Sequence, residues 1–162
     1  MQLISENLRT ALLEQFAEEK YNAHIYLAMY SFLKNMGLNN VGAKFKEQYD
    51  EESKHSEMII EFLLDVNAPV SLPQIQSCES PLTLPDIAKL YLERELYTTK
   101  SLSEIRNLAM DDGDTVCEEF MREMIKAQRV EYAEATDFFD KVEIIKDDWK
   151  AALLFDASIG GK

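Results

Sequence analysis

Breakers are scarce in this chain and fall in few places. All four prolines lie between residues 69 and 85, and the five glycines stand at 37, 42, 113, 160 and 161. Long stretches therefore carry nothing that would interrupt a helix. Cysteine is also rare: Cys78 and Cys117 form no C-x-x-C pair, which excludes a disulfide framework and suits reduced thiols in the cytoplasm. No apolar run is long enough to cross a bilayer. The opening M-Q-L-I-S-E-N-L-R-T lacks a basic region followed by an apolar core, so no signal peptide is expected. Positive charge is in deficit. With Lys and Arg at 17 against 30 Asp and Glu, the formal net charge is −13, which disfavours nucleic acid or an anionic membrane as partner and favours cations.

What remains is an ordinary soluble composition, 46% apolar and 29% charged over 162 residues, a length that suits one domain, 1–162, with a sizeable core. Apolar spacing predicts α1 at about 5–35, α2 at about 40–66, α3 at about 84–111 and α4 at about 115–142, with a short α5 at about 146–157. Ser5 can cap α1, T-L-P-D (83–86) reads as a capping box with proline in the first turn, and T-V-C-E (115–118) reads as a second box. M-G-L-N-N (36–40) and D-D-G-D (111–114) are tight connections, so α1/α2 and α3/α4 are antiparallel hairpins. The connection between α2 and α3 is roughly 17 residues and could reach about 55 Å when extended, at about 3.3 Å per residue. A helix of 27 residues is about 40 Å long. The connection can therefore run the length of a four-helix bundle and set α3 parallel to α2, the arrangement with one long crossover.

Each inward stripe carries a glutamate near its middle. The α1 stripe is Leu8, Leu12, Phe16, Glu19, Ala23, Tyr26, Tyr30 and Leu33. That of α2 is Val41, Phe45, Tyr49, Glu52, His55, Ile59, Phe62 and Val66. That of α3 is Ala88, Leu92, Glu95, Thr99, Leu102, Ile105 and Ala109, and that of α4 is Val116, Phe120, Met124, Ala127, Glu131, Ala135, Phe138 and Val142. Glu19 and Glu52 are equidistant from the first hairpin turn, and Glu95 and Glu131 from Gly113 in the second. Each pair can therefore lie level, and the crossover can bring both pairs to mid-bundle. Four bare carboxylates in one core could not stay ionised, whereas two divalent cations would balance them. Glu52 and His55, three apart, share one helix face and can grip one ion while Glu52 bridges to a second. Carboxylates with one imidazole suit iron or manganese, with zinc as competitor.

These residues resemble the prokaryotic non-haem ferritins, members of the ferritin-like di-iron four-helix bundle family. E-Q-F-A-E-E-K-Y-N-A-H-I-Y (14–26) is similar to that family's first-helix motif, D-E-E-S-K-H (50–55) to its second, E-R-E-L (93–96) to its third and A-Q-R-V-E (127–131) to its fourth. The resemblance implies that Glu19, Glu52 and His55 hold one iron and that Glu52, Glu95 and Glu131 hold the other. It makes Gln128 a weak ligand or a support to one, and Tyr26 a buried one-electron donor beside the pair. It implies an all-α fold and Fe(II) oxidation by dioxygen at a di-iron centre within one subunit. It also implies iron storage and detoxification, with ferric mineral kept in a homo-oligomeric cage of 24 subunits. No haem is expected: Ser53 follows Glu52 where bacterioferritin carries its haem-ligating methionine. With His24 and His55 the only histidines, the fourth helix cannot supply a second E-x-x-H, which sets the chain apart from bacterioferritin, rubrerythrin and the di-iron oxygenases. Glu51 matches one member of a third iron site found in many bacterial ferritins, but Ala127 and Val130 stand where the others would be, and Glu47 and Glu134 are no regular substitute. His24 is read as a surface or interface residue. Asp111, Asp112, Asp114, Glu118 and Glu119 crowd the start of α4, where they complement the helix dipole and, by the resemblance, line a cation entry path. The competing functions are a di-iron oxidase or peroxidase that removes oxidants, with storage incidental, and a structural cage subunit with an idle site.

Overall fold

The computed structural model describes residues 3–81 and 83–160. Five helices follow in order: α1 (Glu6–Asn35), α2 (Asn39–Asp65), α3 (Leu84–Asp111), α4 (Thr115–Ile145) and α5 (Trp149–Gly160). The starts of α1, α3 and α4 carry the caps that the free N–H groups of a first turn require. The Ser5 side chain accepts from Leu8 N, and that of Thr83 accepts from Asp86 N ahead of the proline in the first turn of α3. The cap of α4 is Asp114, not Thr115: its carboxylate accepts from Cys117 N at 2.9 Å. Aspartate wins because it sits one residue earlier, still outside the helix, where its oxygen reaches back over the first turn.

The first three helices end alike. Leu38 N bonds Leu33 O, Ala68 N bonds Leu63 O and Asp114 N bonds Ala109 O, each at 2.8–2.9 Å. Between the partners stands a residue of positive φ: Gly37 at 82°, Asn67 at 57° and Gly113 at 68°. That geometry closes a helix and frees the chain to turn, and it favours glycine or asparagine.

Two apolar clusters show how the helices run. One joins Leu8 and Leu12 of α1, Ile59 and Leu63 of α2, Leu102 and Ile105 of α3, and Cys117 and Met121 of α4. The other joins Met29 and Leu33, Val41 and Phe45, Ile87 and Tyr91, and Phe138 and Val142. The starts of α1 and α4 thus share one end with the finishes of α2 and α3. Both hairpins are antiparallel, and α3 runs parallel to α2. The crossover makes this possible: Val70 and Ile75 pack on the first cluster and Cys78 on the second, so it travels along the bundle. No helix among the described residues is long and apolar enough to cross a membrane.

Some sequence expectations shift. α4 continues past 142 to Ile145, because E-I-I offers no stop, and α5 begins at Trp149 instead of 146. Lys146, at φ 52°, makes the turn, and Asp148 accepts from the N–H groups of Lys150 and Ala151. On α4, Val116 and Ala127 face outward, while Cys117 and Gln128 take the inward places. On the other helices Met29, Gln48, Tyr91 and Thr98 are buried beside the half-buried Tyr30, Tyr49, Leu92 and Thr99. A period of 3.6 lets stripes written in steps of three and four drift by one residue.

α2 lacks a cap of its own, since Leu38 offers no side-chain acceptor. The acceptor comes from 116 residues away: Asp156 Oδ1 of α5 takes the N–H groups of Asn40 and Val41 at 2.9 and 2.8 Å. Gly160 then lies so close to the Asn40 side chain that a Cβ would meet it at 2.2 Å. Asp156→Ala is expected to cost about 1 kcal/mol, the usual value of a lost N-cap. Thermal unfolding will show the loss, and limited proteolysis will show earlier cleavage near residue 149.

Candidate metal centre

Between the two apolar clusters lies a belt of buried polar side chains. Glu19, Glu52 and Glu95 are fully buried, and His55 and Glu131 are each 8% exposed. One comes from each of α1, α3 and α4 and two from α2, placed by the antiparallel hairpins at a common level. Glu19, Glu52 and His55 can each offer a ligand atom within 4.8 Å of the others, and so can Glu52, Glu95 and Glu131. Glu52 belongs to both triads. A third group of the same tightness contains Glu51, His55 and Glu131, with Glu51 exposed on the rim.

The carboxylate oxygens are divided between two tasks. Gln15 Nε2 donates to Glu19 Oε1 at 2.9 Å, and Asn22 Nδ2 donates to Glu52 Oε2 at 3.3 Å. Glu19 Oε2, Glu52 Oε1 and Glu131 Oε2 are buried without a hydrogen-bond partner. A buried acceptor left alone is costly, of order 1–3 kcal/mol and more when charged. Three of them in one belt mark a place that a cation would complete. Glu95 differs: Tyr26 Oη donates to Oε1 at 2.5 Å and Gln128 Nε2 to Oε2 at 2.6 Å. Its lone pairs still allow a ligand bond, since each carboxylate oxygen accepts about two contacts. His55 Nε2 stands 3.7 Å from Glu131 Oε1.

Electrostatics agree with that division. Burial, followed by the charge of Glu19, pushes the Glu52 carboxyl well above the usual range. Glu131 is pushed up to about 9, again mainly by burial and then by Glu95 and Glu19. Glu95 is raised by burial, against which the Tyr26 and Gln128 hydrogen bonds work. Without metal, then, the centre holds protons at neutral pH. Tyr26 stays a neutral phenol: burial and the charges of Glu95 and Glu52 raise it further. Its ring packs edge-on against Tyr91 at 5.4 Å, within an aromatic group that includes Phe45 and Phe138.

The candidates from sequence separate clearly. Glu19, Glu52, His55, Glu95 and Glu131 come together, with Tyr26 and Gln128 touching Glu95. Glu51 reaches the rim, whereas His24 points to solvent. Ala127, Val130, Glu47 and Glu134 are exposed, and Glu134 pairs with Lys44 at 3.6 Å. Part of the acidic start of α4 is already engaged: Glu118 binds Arg106 and Arg122, Asp114 caps the helix, and Asp112 accepts from Ser5. Sequence reasoning missed Gln15, Asn22 and Thr98, all buried and hydrogen-bonded around the belt. A faint signal existed, since Gln15 precedes Glu19 by one helical turn, and Asn22 and Thr98 follow Glu19 and Glu95 by three residues.

Comparison with known proteins gives the same picture from outside. Residues 9–145 match the ferritin-like domain. The chain is 31% identical to ferritin BfrB of Mycolicibacterium smegmatis over 76% of its length and 68% of the relative's. It is 26% identical to a bacterial non-heme ferritin of Campylobacter jejuni over 97% and 95% of the two chains. Among solved structures, the open pore ferritin of Archaeoglobus fulgidus superposes with a TM-score of 0.92 at 28% identity, covering 98% of both chains. The domain match spans both hairpins and the crossover between them, and on that ground the chain belongs to the ferritin family.

Proposed function

We propose that this chain is an iron-storage ferritin subunit with ferroxidase activity, its substrates Fe(II) and dioxygen. The observation that supports this most is the trio of partnerless buried oxygens on Glu19, Glu52 and Glu131, inside two ligand triads that share Glu52. Oxygen donors with one imidazole suit ferrous iron and favour the ferric state more strongly still. When the site is loaded, two Fe(II) supply one electron each and dioxygen takes both.

The protein's part is positional. Gln15 and Asn22 hold Glu19 and Glu52 by one oxygen apiece, so the other oxygen is committed to metal before metal arrives. Tyr26 and Gln128 fix both oxygens of Glu95. Glu19, Glu52 and His55 form one metal's ligand set, and Glu52, Glu95 and Glu131 the other. The apolar clusters above and below exclude water along the bundle axis. Tyr26 is placed to give a further electron to an oxygen-derived oxidant, its proton passing to Glu95 Oε1. In this reading the chain assembles into a cage of 24 copies that keeps ferric mineral, in the cytoplasm, where Cys78 and Cys117 stay as free thiols.

Three outcomes test the reading. Purified protein given Fe(II) and oxygen will take up far more iron than a pair per chain and will elute from size exclusion at the mass of a large shell. Uptake that stops at a pair would instead indicate an oxidase with storage incidental. Glu52→Gln will abolish fast Fe(II) oxidation yet raise the melting temperature of the metal-free protein near pH 7, because an amide at the point both triads share needs no proton taken up on folding, as the buried Glu52 carboxyl does. Unchanged oxidation in that variant would make the site idle.

The pH dependence has a definite sign. Glu52, Glu95 and Glu131 have folded pKa values above their unfolded ones, so the folded metal-free chain binds more protons than the unfolded chain. Their contribution to stability is greatest below about pH 4.5 and is lost as pH rises, for Glu131 up to about 9. The slope is at most about 1.4 kcal/mol per pH unit for each group. Melting curves of metal-free protein between about pH 5 and 9 will fall with pH, and Glu131→Gln will flatten them. Loading with Zn(II) at pH 7 will release protons, measurable by calorimetry in buffers of different ionisation enthalpy.

A further inference from the structure

Arg94 stands directly before Glu95, and a helix turns about 100° between neighbours, so Arg94 cannot join the ligand face. Its guanidinium lies instead between two rings, 4.9 Å from the Tyr21 centroid and 4.7 Å from that of Tyr97. Nη2 reaches Glu18 Oε2 at 2.5 Å and Nε donates to Asn22 Oδ1 at 2.7 Å. The side chain is only 14% exposed. This is a clamped arginine with a fixed orientation.

Asn22 is fully buried, and its amide has two ends with opposite chemistry. The guanidinium carries donors only, so it accepts the carbonyl end alone. The NH2 end must then face inward, where it donates to Glu52 Oε2 at 3.3 Å and to Thr98 Oγ1 at 3.0 Å. With the amide reversed and Glu52 ionised, as metal binding requires, its oxygen would face a carboxylate and its NH2 a cation, and both contacts would repel. Arg94 therefore decides that a donor, not an acceptor, meets the shared carboxylate.

We infer that Arg94 is a positioning residue for the metal centre: by fixing the Asn22 amide it holds Glu52 through Oε2 and leaves Oε1 free for metal. This rests on reading Glu52 as the bridging ligand. Lysine cannot substitute, because a point charge on a flexible stem lacks the planar fork that lies between the rings and grips Glu18 and Asn22 together.

The test uses the full-length protein without iron or oxygen. Co(II) is titrated by calorimetry and visible absorption into wild type, Arg94→Lys, Arg94→Met, Asn22→Leu and the double variant Arg94→Met/Asn22→Leu, with thermal unfolding of each metal-free protein alongside. Wild type is expected to bind a pair of Co(II) ions per chain. Arg94→Lys, which keeps charge and bulk, should lose at least about tenfold in affinity for one of them, with altered ligand-field bands. The double variant should bind no more weakly than Asn22→Leu alone, since Arg94 acts through the amide. A folded Arg94→Lys with the affinity and spectrum of wild type would overturn the inference while leaving the centre intact, and so would losses that simply add in the double variant. Failure of wild type to bind the pair would overturn the reading of the centre and this inference with it.

Discussion

Negative charge taken out of water governs the design of this molecule. Glu19, Glu52 and Glu95 are fully buried, Glu131 nearly so, and among the described residues no lysine or arginine pairs with them. An ionised carboxylate so placed costs several kcal/mol unless a counter-charge meets it. Protons can supply that charge, and the raised pKa values of Glu52, Glu95 and Glu131 show that they do so when metal is absent. Under the proposed function, metal ions would compete with those protons for the same oxygens, and loading would be an exchange of counter-charge in a fixed anionic frame.

The frame is not uniform. Three of the carboxylates are each held by a neutral donor: Gln15 on Glu19, Asn22 on Glu52, Tyr26 and Gln128 on Glu95. Neutral donors steer a carboxylate without cancelling its charge, which a lysine or arginine in their place would do. The one nearby arginine is kept a residue away and speaks to the site through an amide. On the side of α2 and α4, His55 and Glu131 look toward Glu51 at the exposed rim. A held part of the centre thus adjoins a more open one.

Much of this was legible in the sequence because it follows from periodicity. Glutamates inside apolar stripes, Glu52 with His55 one turn on, and two hairpin turns equidistant from each pair all translate directly into a shared level. Prolines gathered in one long connection fixed the crossover. What escaped notice depends on contacts between segments far apart in the chain. Asp156 caps α2 across 116 residues, and no local signal announces that. Gln15, Asn22 and Thr98 look like ordinary polar interruptions of a stripe until a neighbouring helix supplies their partners. The one-residue drift on α4, which turned Val116 and Ala127 outward, came from writing a 3.6 period in whole steps. Cys117 and Gln128, one place on in each case, had the same claim on the pattern.

The two apolar clusters lie at opposite ends of the bundle, with the polar belt between them. Each end is sewn shut by grease and by a tight turn, whereas the waist is joined by amides and acids whose fit depends on what they hold. Because the ends are closed by apolar packing, what the waist holds can change, proton or cation, while the helices stay together.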